Sequence, residues 1–316
     1  RSHVIPFPFT ESRASRVRAL VRVCRALRET KPDLLLPYTF GPNVVCGLMW
    51  KWTGARACVW NQRDEGIVPY DSPSVRWAAQ RTPQFISNSE AGARFLIEKL
   101  GVREQRVVVI RNGIQTVAPE LDRRAWRERL AVDDQAFVAC MVANLHALKD
   151  HATLLFAWRK VVMDFERKGR SALLVLAGRH DGAAELLRAL AADLNLNGTV
   201  RFAGHVSDVP GLLNAVDVSV FSSRSEGCPN AVLESMAAGL PVVATDIEGI
   251  REVVGPTGAQ FLAPAGDAES LAEVLLRLES DSELRARAGA QNRQRIREHY
   301  DALRMCEETT ALLARL

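Results

Sequence analysis

From residue 136 to residue 244, short apolar runs alternate with amphipathic stretches, and no other feature restricts the fold as strongly. The runs at 136–143, 173–177, 200–202, 218–222 and 242–244 read as buried strands. The segments 151–168, 183–195, 209–216 and 230–238 read as the helices between them. A strand that is apolar on both faces must be covered by helices on both sides, and βαβ crossovers provide that cover. The pattern predicts a doubly wound parallel α/β domain, continued by a strand near Gln260 and by helices from Ala268 to the end.

The first half carries a less complete version of the same alternation. Val17, Leu20, Val21, Cys24 and Leu27 recur at three- and four-residue steps, so a helix is expected over 12–30 with these residues facing the core. Arg13, Arg16, Arg18, Arg22, Arg25 and Arg28 occupy much of the rest of its surface. Lys31-Pro32 ends it, because the residue before a proline avoids helical geometry. A strand at 34–36, a helix at 43–52 and strands at 57–60, 85–87 and 107–110 come next, with a helix capped by Ser89 and running to 100. Residues 115–135 read as a linker with its own helix. A chain of 316 residues, at roughly 100–200 residues per domain, is expected to form two domains. The expected fold class is therefore α/β with two Rossmann-like doubly wound domains, the first incomplete at its N-terminus. Their expected limits are 1–135 including the linker and 136–300, with a terminal helix at 301–316 returning to the first domain.

Composition narrows the function classes. Apolar residues make up 47% of the chain, which excludes a disordered or fibrous protein. Apolar runs reach only about ten residues, roughly half of what a membrane-spanning helix requires. Cys24, Cys46, Cys58, Cys140, Cys228 and Cys306 include no Cys-x-x-Cys pair, and they read as reduced thiols of a cytoplasmic protein. The net charge of +4 is unevenly divided: 22 Lys/Arg against 14 Asp/Glu through Gln135, then 19 against 23. A basic half is expected to face something anionic, and the arginines of 12–30 make an anionic membrane surface one candidate. Nucleic acid is not expected as a partner, because no stretch interleaves basic residues with aromatic stacking platforms.

The chemistry concentrates in two segments that each come directly after a buried strand, where open α/β sheets bind their ligands. The first is Ser222-Ser223-Arg224-Ser225-Glu226-Gly227-Cys228-Pro229-Asn230-Ala231-Val232-Leu233-Glu234. Pro229 suits the first turn of a helix, and the N–H groups around Gly227 to Ala231 with the helix dipole would seat a diphosphate. Glu226 precedes that helix and Glu234 lies more than one turn inside it, so one carboxylate can reach a sugar hydroxyl and the other a ribose diol. On spacing alone, an incidental pair of glutamates on a surface loop is equally compatible. The second segment ends in Asn144-Leu145-His146-Ala147-Leu148-Lys149-Asp150, where Lys149 could neutralise phosphate charge or simply be solvated. In the first half, Arg63 and Asp64 in the polar loop 61–65 could face an acceptor, or form an ordinary turn. No Asp-x-Asp, Gly-x-Gly-x-x-Gly or Gly-Lys occurs, and the histidines show no zinc-like spacing, so a bound metal, a dinucleotide and a P-loop are not expected.

Together these residues resemble the retaining, nucleotide-sugar-dependent glycosyltransferases of the GT-B fold, in the large Glu-x7-Glu group known as family 4. Glu226 and Glu234 match that motif, and Ser235-Met236-Ala237-Ala238-Gly239-Leu240-Pro241-Val242-Val243-Ala244-Thr245 matches the family's continuation of it. Ser87-Asn88-Ser89-Glu90, Val109-Ile110-Arg111-Asn112-Gly113-Ile114, Phe202-Ala203-Gly204-His205 and Pro264-Ala265-Gly266-Asp267 match in the same order.

The resemblance implies transfer of a sugar from a nucleoside diphosphate donor, UDP or GDP, to a hydroxyl of a glycan or lipid-linked acceptor. It implies retained configuration and no further cofactor. Lys149 is similar to the lysine that holds the donor pyrophosphate, Glu226 to the carboxylate beside the donor sugar, and Glu234 to the one on the nucleotide ribose. Gly227, Cys228, Pro229 and Asn230 would form the loop around phosphate and sugar, and His205 and Val206 the turn beside the base. The acceptor hydroxyl would attack on the face the diphosphate leaves, with a phosphate oxygen taking its proton. Asn144 stands where the family often has arginine, so it would donate a hydrogen bond to phosphate without adding charge. Nothing before Arg1 supplies the strand and Gly-rich loop with which the family opens, so a shortened acceptor side is expected. A nucleotide-sugar epimerase of the same fold, or a degenerate sugar-nucleotide-binding module, is the alternative.

Overall fold

The computed structural model describes residues 12–66 and 72–316. The chain forms two compact units, one of residues up to 111 with 307–316 and one of residues 112–306.

The first unit contains α1 (Arg13–Glu29), β1 (Leu34–Leu35), α2 (Phe40–Thr53), β2 (Ala57–Gln62), α3 (Pro73–Arg81), β3 (Gln84–Ser87), α4 (Glu90–Arg94) and β4 (Val107–Val109). Its strands run parallel in the order β1-β2-β3-β4 among the described residues. Ser89 caps α4 by accepting from the Gly92 N–H at 3.1 Å, as its position before an apolar run predicts. The helix expected to continue to 100 changes its winding instead. Phe95–Lys99 is a π-helical turn.

The register of α1 differs from the sequence expectation. Ala19 is buried and Leu27 packs toward Leu35, Ala55 and Cys58, but Val17 and Val21 are 52% and 46% exposed. The helix lies against α2 along a seam narrower than the apolar stripe, so two of the five predicted core residues stand in solvent beside Arg16, Arg18, Arg22 and Arg25.

The second unit begins with α5 (Arg123–Arg129) and β5 (Phe137–Val142). Then come α6 (His151–Lys168), β6 (Ala172–Ala177), α7 (Ala184–Asp193), β7 (Val200–Gly204), α8 (Val209–Ala215), β8 (Val218–Phe221), α9 (Asn230–Ala237) and β9 (Val242–Thr245). α10 (Glu248–Gly258), β10 (Leu262–Ala263), α11 (Ala268–Ser280), α12 (Ser282–His299) and α13 (Ala302–Leu313) complete the chain. The strand expected near Gln260 starts at Leu262, because Ala259–Phe261 closes the preceding helix in a 3-10 turn. The sheet is parallel, in the order β10-β9-β8-β5-β6-β7. Alternate residues of β5 serve different layers. Phe137, Ala139 and Met141 join one buried cluster, and Val138 and Cys140 the other, with Trp126, Leu130, Leu212 and Leu213.

Residues 115–135, which read in sequence as a linker, pack within this unit. Trp126 is buried and its indole N–H donates to Asp208 at 2.7 Å. Burial of so large a side chain contributes about 1.5–3 kcal/mol, and the satisfied N–H avoids the cost of a buried orphan donor. Asp208 also accepts from the backbone N–H groups of Glu120, Leu121 and Gly211. These bonds favour its charged form, and its pKa lies below the usual carboxylate value despite burial. The chain proceeds from β5 outward through β6 and β7, then returns to β8 and runs outward the other way. The carboxyl ends of β5 and β8 thus flank the topological switch point, where a crevice forms.

Candidate active site

Both motif-bearing segments leave the sheet at that switch point. After β5 the chain runs through a 3-10 turn at Ala147–Lys149 into Asp150, whose φ of 20° is unusual for a non-glycine residue, and then into α6. After β8 it runs through 222–229 into α9. Side-chain and backbone bonds stitch the two loops together. Ser222 Oγ donates to the Asp150 carbonyl at 3.0 Å, and the Arg224 N–H donates to the Leu148 carbonyl at 3.0 Å. Thr245, at the end of β9, clamps Ser223 through its hydroxyl, accepting from the Ser223 N–H at 3.0 Å and donating to its carbonyl at 2.7 Å.

The consequence is direct contact between two residues separated by 77 positions. The Lys149 ammonium pairs with Glu226 Oε1, and Ser223 Oγ lies 2.7 Å from the same oxygen as its donor. Lys149 also stands 5.1 Å from the centre of the Phe221 ring. The cation assigned to phosphate and the carboxylate assigned to the sugar satisfy each other in this arrangement.

Pro229 is the N-cap of α9 rather than its first helical residue, and no side chain caps this helix. Val232 and Leu233 N–H bond back to the Pro229 carbonyl, whereas those of Asn230 and Ala231 have no partner among the described residues. Two free donors at the positive end of a helix dipole have the chemistry to receive an anion. Gly227, Cys228 and Pro229 are buried and Asn230 is exposed.

The remaining predicted donor residues divide between two cavities. Asn144, His205 and Val206 line one of ≈ 260 Å³ with Gly178 and Arg179. The Asn144 carboxamide oxygen there accepts from the Arg179 N–H at 3.0 Å. Glu234 lines a larger cavity of ≈ 690 Å³, shared with Gln115, Ser207, Arg293 and Arg297. That volume lies within the range of small-ligand pockets. Val209 borders both. Burial pushes the Glu234 carboxyl above its ordinary value.

Arg63 and Asp64 belong to the first unit, and both have structural partners. The Arg63 guanidinium stacks 5.8 Å from the Tyr38 ring centre. The Asp64 carboxylate accepts from Gln62 Nε2 and from the Gly66 N–H, each at 2.9 Å, which shapes its own turn. Among the described residues, no group of three or more His, Cys, Asp or Glu side chains is placed to hold a metal ion.

Sequence reasoning misses the residues that hold the loops. Besides Thr245, they are Asn112, which donates to the Cys228 carbonyl and to Asn230, and Gly249, packed on the backbone of Glu226 and Gly227. Asn112 stands in a recognised motif, but nothing in its spacing points to a partner 116 residues away. His151 reads from sequence only as a helix-start residue. It is 2% exposed directly after Lys149 and Asp150, and both ring nitrogens lack partners. Burial, reinforced by the Lys149 charge and opposed by Asp150, lowers its pKa to about 4.

An imidazole held neutral in the fold and titrating normally when unfolded gives stability that is full above the unfolded value of 6.5. That stability is lost as pH falls toward about 4, because the unfolded chain takes up a proton the native state refuses. The total is about 3 kcal/mol. Equilibrium unfolding across this window should show a shallower pH dependence for His151→Leu than for the wild type, and equal slopes would remove His151 as the cause.

Two parallel α/β sheets in separate units are the architecture of the GT-B fold. The family model "Glycosyl transferases group 1" matches residues 122–295, and "Glycosyltransferase Family 4" matches residues 1–117. The chain belongs to the group 1 glycosyl transferases and is a glycosyltransferase. It is 30% identical over 239 residues to the lipopolysaccharide core biosynthesis glycosyltransferase LpsE of Rhizobium meliloti, covering 69% of this chain and 68% of that protein. It is 28% identical over 279 residues to an Escherichia coli UDP-Gal:alpha-D-GlcNAc-diphosphoundecaprenol alpha-1,3-galactosyltransferase, covering 85% and 72%. The crystal structure of Anabaena Alr3699/HepE in complex with UDP-glucose superimposes with a TM-score of 0.82 at 22% identity, covering 94% of this chain and 82% of that one.

Proposed function

We propose that this glycosyltransferase moves a sugar from a nucleoside diphosphate donor to a hydroxyl of a glycan or lipid-linked acceptor, with retained configuration and without a metal ion. The observation that carries this reading is the Lys149–Glu226 pair beside the uncapped start of α9. As the glycosidic bond to the diphosphate breaks, negative charge grows on the leaving phosphate. Lys149, once the diphosphate has displaced Glu226 from it, and the Asn230 and Ala231 N–H groups stabilise that charge where a divalent cation would otherwise be needed. Glu226, released from Lys149, accepts from the donor sugar's hydroxyls. Glu234 accepts from the ribose in the larger cavity, and His205 and Val206 border the base. No side chain in this set serves as a covalent nucleophile; the acceptor proton passes to a phosphate oxygen. Lipopolysaccharide and diphosphoundecaprenol relatives support a cell-surface glycan or its lipid-linked precursor as acceptor.

Calorimetry in excess chelator should show UDP or GDP binding to the wild type, and Glu234→Ala should weaken it roughly 10- to 150-fold, the worth of hydrogen bonds to a charged group. Abolition of binding by the chelator would overturn the metal-free reading.

A cytoplasmic location at an anionic membrane face goes with such an acceptor. No helix of the described residues is long and apolar enough to cross a membrane. The support is α1, whose exposed arginines surround exposed Val17 and Val21. Trp52 and Trp77 are also exposed, with Arg81 lying 5.5 and 4.6 Å from their ring centres. Basic side chains at an anionic surface contribute about 1 kcal/mol each, and exposed apolar side chains among them add shallow insertion. Vesicle sedimentation should show salt-sensitive binding to anionic lipid that charge reversal at Arg18, Arg22 and Arg25 abolishes. No binding at low salt would remove the membrane from this picture.

A further inference from the structure

Asn112 is 4% exposed, and its carboxamide nitrogen sits between two oxygens. One is the Cys228 carbonyl at 2.9 Å, and the other is Asn230 Oδ1 at 2.7 Å. The network fixes both amides. A carbonyl can only accept, so the Asn112 atom facing Cys228 must be nitrogen. The same nitrogen meets Asn230, so the Asn230 atom facing it must be oxygen. The Asn230 NH₂ group is then the part left for a ligand, on the same turn as the unsatisfied N–H groups of Asn230 and Ala231.

The backbone holds Asn112 in place for this. The Ile114 N–H donates to the Tyr300 carbonyl at 2.8 Å, and a Cβ on Gly113 would fall 2.4 Å from Ala302 Cα. A side chain so anchored, spending its donor on the anion loop while its own Oδ1 stays buried without a partner, costs stability.

We infer that Asn112 is a positioning residue that sets the polarity of the Asn230 amide, so that the seat at the start of α9 presents only donors to a diphosphate. This rests on the proposed nucleoside diphosphate donor. Without Asn112, the exposed Asn230 amide is free to rotate by half a turn and place its oxygen against a phosphate oxygen. Asn112→Asp goes further, because a carboxylate at 112 draws the Asn230 NH₂ toward itself and turns the oxygen outward.

The test is a double-mutant cycle on Asn112→Asp and Asn230→Ala, read by calorimetry with UDP and uridine, GDP and guanosine, alongside melting temperatures. Asn112→Asp should weaken the nucleoside diphosphate about tenfold or more, as loss of a hydrogen bond to a charged group does, and leave the nucleoside unchanged. On the Asn230→Ala background, the same change should cost the diphosphate nothing further, since the residue it acts through is gone. A merely structural Asn112 would weaken diphosphate and nucleoside alike and would do so on either background, and that result overturns the inference.

Should Asn112→Asp fail to fold, Asn230→Asp puts an oxygen into the seat from an exposed position. Diphosphate binding as tight as wild type in that variant overturns the inference equally. A wild type that binds neither diphosphate overturns the proposed donor and this inference together, whereas normal wild-type binding with an additive cycle overturns this inference alone.

Discussion

Glu226→Gln is expected to lower turnover by about 10²- to 10³-fold, the range seen when one preorganised transition-state contact is removed, while nucleoside diphosphate affinity holds or tightens. The asymmetry comes from the ion pair. Lys149 is already neutralised by Glu226, with Ser223 supporting the same carboxylate oxygen, so an incoming diphosphate must displace a carboxylate to gain the ammonium. Glutamine keeps the shape and removes the competing charge. What it cannot do is accept from sugar hydroxyls with a full negative charge as the sugar becomes electron-poor. The loss therefore falls on kcat rather than on binding.

Lys149→Ala should show the opposite division. Diphosphate affinity falls roughly 10- to 150-fold, and a half-buried Glu226 is left repelling the ligand. Because the two side chains act on each other, the double variant should lose less than the sum of the singles. Steady-state kinetics with isothermal titration on all three proteins checks this. Equal loss of diphosphate affinity in Glu226→Gln and Lys149→Ala would mean that the division of roles between sugar and phosphate is wrong.

The ion pair also marks what the sequence can and cannot convey. Lys149, Glu226 and Glu234 are identifiable because each lies beyond a strand that its apolar run announces, and the resemblance to the Glu-x7-Glu family, not spacing alone, assigns them separate tasks. That the first two touch is not legible, since contact across 77 residues depends on β5 and β8 being sheet neighbours, and no local periodicity encodes strand order. The same reason hides Asn112 and Thr245. Their amide and hydroxyl look like ordinary turn and strand-end chemistry until the partner loop is in place. Errors of another kind arise where tertiary contact overrides a local pattern. The stripe on α1 predicts five core residues, but among the described residues its neighbours leave Val17 and Val21 exposed. Residues 115–135 look like a linker because they are charged and rich in breakers early on, yet Trp126 and Arg127 are buried. Arg127 is 2% exposed and donates to the Ala215 and Ala136 carbonyls, a use of arginine that composition alone reads as solvation.

Gly249→Ala should reduce turnover by about 10²-fold or more in a protein that still folds, the loss associated with displacing reacting groups by about 1 Å. Gly249 lies in the first turn of α10, and a Cβ there would stand 2.0 Å from the Glu226 carbonyl oxygen and 2.4 Å from that of Gly227. Its backbone is not left-handed, so glycine is required by close approach and not by conformation. Both obstructing atoms are backbone, so no side-chain rotation relieves the clash, and either the helix start or the loop bearing Glu226 must move. The general cost of such overpacking is about 1–3 kcal/mol, which lowers the melting temperature without unfolding the chain. Gly258→Ala is the control. It lies at the end of α10, beyond the break in helical geometry at Gly255, and its Cβ would stand 2.6 Å from Val254 Cβ, so it imposes crowding away from the loop. Comparable melting temperatures with turnover lost only in Gly249→Ala would show that the first turn of α10 sets the position of the Glu226 loop. Equal turnover in the two variants would show that the loop tolerates the displacement, and that the close contact serves packing alone.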